Sequence, residues 1–289
     1  MTTSEPLTPL IAVMIAYPPE MDAIVREFDL ASPRFAHQRI KGFHFCRGFV
    51  EGREVLVVET GMSLVNAAMA LQLTLDRFPV TQVLAVGAGG AIDPSLRVGD
   101  VVIPERWAYH CEASFFNEDG KGGYVLPHNF RQKYCNFGMI FPKDVVATRE
   151  SEEGFVHVPA FPADPGLLNA ARDAIAKLGS LGDAATGHPL TAVIGGTGVS
   201  GPIFQDNAAY RDHLYKVWKA RCIEMECAAY AHVCYTNRVP FLAVRAPCDL
   251  AGGQAGQNAS DDHTVNSTIN ALRVLRAVIR EIPAPPLAH

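Results

Sequence analysis

Short apolar runs alternate with helix-period stretches along most of the chain, and that alternation restricts the fold more than any other feature. Residues 11–16 form an apolar run, followed by Pro18, Pro19 and a helical pattern over 20–28. The order then repeats. A strand is predicted over 53–59, a turn at Gly61, a helix over 67–78, and a buried strand over 82–86 that ends in a Gly-rich turn at 87–90. Further on, residues 101–103 predict a short strand, 167–178 a helix, and 191–194 a strand before a second Gly-rich turn. Helices are expected over 207–219 and 226–236, a strand over 240–245, and a closing helix over 265–282 stopped by Pro283. Strand–helix alternation of this kind implies a layered α/β fold with a mainly parallel sheet. Ligands of such sheets bind beyond the carboxyl ends of the strands, so the segments after the strands hold the candidate residues.

Residues 111–165 break the rhythm with Gly120, Gly122, Gly123, five prolines and scattered aromatics. They read as an insertion on a single domain spanning 1–289. The Ala/Pro-rich tail after Ile282 is expected to fray.

Composition removes several function classes. An apolar fraction of 48% with 19% charged residues excludes a disordered chain. The net charge is −5 and no basic run exists, which argues against nucleic acid and anionic membranes as partners. No apolar run approaches the ~20 residues of a membrane span. Seven cysteines at irregular spacing suit free thiols in a reducing compartment. The first ten residues hold no Lys or Arg, so no signal-peptide n-region is visible. These features predict a cytoplasmic protein.

Some motifs point elsewhere and fail. Residues 196–201 spell G-x-G-x-x-G after a strand, but Pro202 follows at once and no acidic residue closes a βαβ unit, so a Gly-rich turn is the better reading than a dinucleotide site. Ser200 is not in G-x-S-x-G, because position 202 is Pro. Cys222 and Cys227 lack a partner pair at zinc spacing and read as buried thiols. His110 and Cys111 are adjacent, and neighbours in a strand point to opposite faces, which argues against a nucleophile pair.

Three acids remain. Glu20 follows the first apolar strand, Glu226 lies in Cys222–Cys227, and Asp249 follows the 240–245 strand. A carboxylate just past a buried strand is costly unless it is hydrogen-bonded or used. With the Gly-rich 87–90 segment they converge on one sheet edge.

On these residues the chain resembles the nucleoside phosphorylase and nucleosidase superfamily, in particular the 5′-methylthioadenosine/S-adenosylhomocysteine nucleosidase group, with features of the bark storage protein branch. The strongest match is EMECAAYAHVCYTNRVPFLAVRAPCDLAGG at 224–253, then VGAGGAIDPSLRVGDVVIP at 86–104, and more weakly AYPPEMDAIV at 16–25. The family's ribose-binding Glu and general-acid Asp stand 23 positions apart, as Glu226 and Asp249 do here.

The resemblance implies a three-layer α/β/α sandwich with a central mixed, mainly parallel twisted sheet. It also implies a purine N-ribosyl hydrolase acting on adenosine-type or 5′-modified nucleosides, with no metal or organic cofactor. Asp249 matches the acid that protonates the leaving purine, and Glu226 the acceptor of ribose hydroxyls. Met225 matches the apolar floor of the sugar site and Phe204 the aromatic stacked on the base. Gly87, Ala88, Gly89 and Met62 complete the implied substrate-binding set. Glu20 falls where nucleosidases place the base that activates water. Phosphorylases of the group hold phosphate with arginines before the Gly-rich segment and in the N-terminal loop; here those positions read Leu84–Ala85–Val86 and Tyr17–Pro18–Pro19–Glu20. A dianion without guanidinium partners binds poorly, which favours water. The alternatives are a phosphorylase using an arginine such as Arg47 of a second copy, or a catalytically weak nucleoside-binding or storage protein. Ala88 and Cys248 stand where nucleosidases carry Ser, and the 249–253 ending resembles the storage branch. Family members complete their pockets with a neighbour's side chain, so a homodimer or larger homo-oligomer is implied. The insertion is expected to shape the 5′ end of the site.

Overall fold

Leu10–Ile15 forms β1, and all six of its residues are buried. Ile11, Val13 and Ile15 join the core on one face, while Leu10, Ala12 and Met14 join the core on the other. A strand covered on both faces must be continuously apolar, which is why no polar alternation shows in this run.

The computed structural model describes residues 9–149 and 153–283. After β1 come α1 (Pro18–Phe28), β2 (Ala36–Ile40), β3 (Phe43–Val50), β4 (Arg53–Glu59), α2 (Leu64–Arg77) and β5 (Val80–Ala91). The middle of the chain gives β6 (Val101–Ile103), β7 (Arg106–Tyr109), β8 (Ala113–Phe115), β9 (Ile140–Pro142), β10 (Val145–Ala147), β11 (Val156–Val158), β12 (Phe161–Pro162) and α3 (Pro165–Leu178). The last part gives β13 (Leu181–Gly182), β14 (Pro189–Leu190), β15 (Ala192–Ile194), β16 (Thr197–Ser200), α4 (Ala208–Trp218), β17 (Ala220–Glu224), α5 (Cys227–Asn237), β18 (Phe241–Asp249) and α6 (Ser260–Glu281).

Twelve strands share one mixed sheet, with the path β12-β7-β16-β17-β5-β1-β4-β3-β2 and with β18, β6 and β15 branching from it. The pairs β1–β4, β1–β5, β5–β18, β7–β16, β16–β17 and β6–β15 are parallel. Residues of α1, α3 and α6 share one core cluster, including Ile24, Ala171 and Leu275. On the opposite face, α2 and α5 bury Leu71 and Tyr230. The expected three layers are therefore present. Among the described residues no helix is long and apolar enough to cross a membrane.

Three local expectations are corrected. The 87–90 segment is not a turn but the end of β5. Its glycines serve close strand approach: a Cβ on Gly89 would lie 2.6 Å from the Ile223 carbonyl oxygen. The 196–201 segment is likewise mostly strand, β16, where Gly198 leaves room for the Trp107 ring. Finally, β18 runs on through Asp249, so this acid is the last residue of a strand paired with Gly90, not a residue beyond it.

Within 111–165, β8–β9 and β10–β11 form two small antiparallel pairs and β12 returns to β7. Phe116, Phe130 and Phe141 pack there at centroid distances of 4.8–6.0 Å. Residues 284–289 of the tail expected to fray, and residues 1–8, lie outside the described residues.

Candidate active site

The cavity of interest opens where β1, β5, β17 and β18 end. Its lining includes Glu20, Met62, Ala88, Gly89, Phe204, Met225, Glu226 and Asp249. The sequence-predicted residues are thus brought together, with Gly87 directly behind them. A side chain on Gly87 would run into the Glu20 carboxylate and the Arg245 guanidinium.

Glu20 sits in the first turn of α1 and is 3% exposed. The helix start aims it inward, because Oε2 accepts the Tyr17 N–H at 3.0 Å. Its other oxygen crosses to β5 and accepts the Ala88 N–H at 2.7 Å. Burial pushes its carboxyl pKa up, against the pull of Arg245 and the backbone donors. Glu226 is the N-cap residue of α5 and accepts the Ser63 N–H at 2.8 Å. Burial and then the Glu224 charge raise its pKa, with Arg245 opposing. Asp249 accepts the Ala251 N–H at 2.7 Å, and burial raises its pKa as well.

Met225 is half-buried in the lining. Phe204 is 65% exposed and Met62 40% exposed at the cavity, so neither is a core residue. Large apolar side chains left open beside a cavity suit a planar ligand better than packing does.

Two residues of the site escaped the reading by motif. Arg245 is 1% exposed and stands among Glu20 (3.5 Å), Glu224 (2.9 Å) and Glu226 (3.7 Å). It also donates to the Ala88 carbonyl at 3.2 Å. Glu224 anchors it while accepting N–H bonds from Glu226 and Cys227, both at 2.9 Å, and a bond from the Ser200 hydroxyl. The signal was present as a lone arginine inside the apolar strand 241–246, which has to be paired when buried. The start of α6 was also missed. Asn258 caps the Ser260 N–H at 2.8 Å, five residues before the predicted start, and Ser260, Asp261 and Thr264 join the lining.

Other expectations change. None of the lining residues comes from 111–165, so the described part of the insertion does not shape the cavity. Arg47 pairs with Glu54 at 2.8 Å on β3–β4. His110 and Cys111 do meet, Nδ1 to Sγ at 3.3 Å, because β7 ends at Tyr109 and strand alternation no longer applies. Burial pushes the Cys111 thiol up to about 11 and the His110 imidazole down to about 4, which leaves the thiol protonated rather than nucleophilic.

The chain is similar to known proteins along most of its length. Residues 10–282 match the family model of the Phosphorylase superfamily. A 5′-methylthioadenosine/S-adenosylhomocysteine nucleosidase of Staphylococcus aureus (strain JH9) is 30% identical over 213 residues, covering 73% of this chain and 75% of the relative. The solved nucleosidase of Colwellia psychrerythraea 34H in complex with adenine superposes with a TM-score of 0.69 at 22% identity, over 95% of this chain and 96% of that one. That of S. pneumoniae with the transition-state inhibitor MT-ImmA gives 0.70 at 21% identity, over 95% and 100%. The match over nearly the full length and the 30% identity lead to one conclusion: this chain belongs to the Phosphorylase superfamily.

Proposed function

We propose that the protein is a purine nucleosidase that hydrolyses the N-glycosidic bond of adenosine-type nucleosides, including 5′-modified ones. The observation that carries this reading is one cavity lined by Glu20, Glu226 and Asp249, with no Lys or Arg among its described lining residues. Cleavage builds positive charge on the sugar and negative charge on the base. Asp249, whose pKa burial raises, is placed to give a proton to the leaving purine. Glu226 accepts from the ribose hydroxyls, and Met225 lies under the sugar. Phe204 and Met62 cover the base and the substrate's outer face. Glu20 takes a proton from water; its raised pKa makes it a stronger base once ionised. Gly87 and Gly89 let β5 approach these groups closely.

Phosphate is disfavoured as nucleophile. Arg245, the guanidinium behind the site, is buried and engaged by three carboxyl groups, and Asp261 adds further negative charge at the lining. The relative of S. aureus named above is a nucleosidase, which supports water as acceptor.

A homo-oligomer belongs to the same reading. Val65 and Met69 lie one turn apart on α2, 69% and 51% exposed, next to Met62 at the cavity. Such an apolar strip suits a second copy. A single domain in a reducing cytoplasm fits the seven free cysteines.

The test is adenine release from 5′-methylthioadenosine in phosphate-free buffer. Free 5-methylthioribose is the expected product. Release that needs phosphate, with a sugar 1-phosphate formed, would assign a phosphorylase instead. Ligand binding without turnover would assign a binding or storage protein.

A further inference from the structure

The strands β2 and β3, at the edge of the sheet away from the cavity, carry three side chains whose ligand atoms all lie within 4.8 Å of one another: His37, His44 and Cys46. The sheet register brings them together. His37 is the cross-strand partner of Cys46, and His44 is two residues before Cys46 on the same face of β3. No linear zinc motif exists, so spacing alone could not reveal the group.

Two of its three distances are those of a tetrahedral coordination polyhedron, and the Cys46–His37 one is shorter. His37 Nδ1 lies 3.2 Å from His44 Nε2. Cys46 Sγ lies 3.1 Å from His37 Nδ1 and 3.6 Å from His44 Nε2. Tetrahedral zinc with the usual Zn–N and Zn–S bonds would set its ligands ~3.3 Å (N to N) and ~3.6 Å (N to S) apart.

The ring nitrogens turned away from the cluster fix the tautomers. His37 Nε2 is 2.9 Å from the Leu30 carbonyl oxygen, which can only accept, so this nitrogen holds the proton. His44 Nδ1 is 3.5 Å from the Glu59 carboxylate, its direct neighbour on β4, which selects the same outward proton. Both inward nitrogens are then lone pairs facing each other, and one S–H cannot serve both. A backbone carbonyl behind one histidine and a carboxylate behind the other is how proteins orient metal-binding imidazoles.

We propose that His37, His44 and Cys46 bind a zinc ion, through two imidazole nitrogens and the thiolate, with water as the fourth ligand on the exposed His37 side. Binding replaces the thiol proton of Cys46, which leaves to solvent, and no electron is transferred. None of the three residues lines the catalytic cavity, so the ion clips the edge strand β2 to β3 and takes no part in glycoside cleavage. Imidazole and thiolate together favour zinc over the oxygen-seeking magnesium and calcium.

The full chain, stripped with chelator and dialysed against zinc chloride, is expected to retain about one zinc per chain by elemental analysis. Cobalt(II) in its place should give a sulfur-to-cobalt charge-transfer band and the intense visible bands of a tetrahedral site. Cys46→Ser should remove the charge-transfer band. His37→Gln, at an exposed position that leaves the core untouched, should weaken zinc binding by more than about 100-fold, since partners behind the ligands alone are worth about 10–100-fold. Cys111→Ser, at the exposed thiol elsewhere, should change nothing. Zinc retained equally by His37→Gln, zinc lost in Cys111→Ser, or no retained zinc at all would each overturn the site. Metal content is the readout throughout, so failure of the nucleosidase reading would leave this test unaffected.

Discussion

Arg245 Nη2 stands 2.9 Å from Glu224 Oε2 with both groups buried, and this pair holds the floor of the cavity together. Three carboxyl groups face one guanidinium there. The pair is worth little as net stabilisation, because two charges lose their water. Breaking it is another matter.

Arg245→Met is expected to destabilise the protein by about 3–5 kcal/mol, because Glu20, Glu224 and Glu226 lose their shared counter-charge. Glu224→Gln should cost less, since the backbone bonds from Glu226 and Cys227 still find an acceptor. Urea unfolding midpoints check both. Equal, small losses would show that Arg245 is dispensable to the packing.

Asp249→Asn should lower adenine release by about 10²–10⁴-fold, the usual span for general acid catalysis. A nitrophenyl riboside, whose leaving group needs no proton, should lose far less. Parallel losses on both substrates would reject the acid role.

Above its raised pKa, where Glu226 is ionised, Glu226→Gln should weaken ribosides more than 2′,3′-dideoxyribosides by about 1.5–3 kcal/mol, the worth of a charge-assisted hydrogen bond. Its stability should also depend on pH in a defined direction. Burial raises the Glu226 pKa above the ordinary 4.5, so above that pH the folded state holds a proton that the unfolded state has lost. The group's contribution is therefore full below the unfolded pKa and is lost as pH rises through the folded one. His110, pushed down to about 4, contributes the opposite slope below its ordinary 6.5. The clean observable is the difference: native protein minus Glu226→Gln should grow more favourable as pH falls from 8 towards 5. A flat difference would mean that Glu226 is ionised in the fold.

The layered fold was legible because central strands such as β1 and β18 are buried along their whole length, and β1 and β4 stand where the apolar runs stand. The acids were legible because buried strands and Gly-rich segments leave few places for charge. What stayed hidden depends on contact rather than spacing. The glycines of β5 and β16 look like turn residues, yet they serve backbone and ring contacts with Ile223 and Trp107. Arg245 has no motif of its own and is explained only by three acids from distant segments. His37, His44 and Cys46 meet through strand register, which pairwise spacing does not encode.

Glu20 decides the nucleophile. Glu20→Gln should cut turnover by about 10²–10⁴-fold while adenine still binds, since Asp249 and Phe204 lie on other elements. The amide keeps one acceptor oxygen where the carboxylate offered two, so either the Tyr17 or the Ala88 N–H is left unpaired. Loss of about 1–3 kcal/mol of stability should accompany the change. Glu20→Asp keeps both acceptors but withdraws them by one methylene, away from Ala88, and should also be slow. Turnover in ¹⁸O-labelled water should place the label at C1 of the released sugar, because the base-activated water attacks there. Label absent from C1, together with a rate that rises in proportion to added phosphate, would reduce Glu20 to a first-turn carboxylate at the positive end of the α1 dipole.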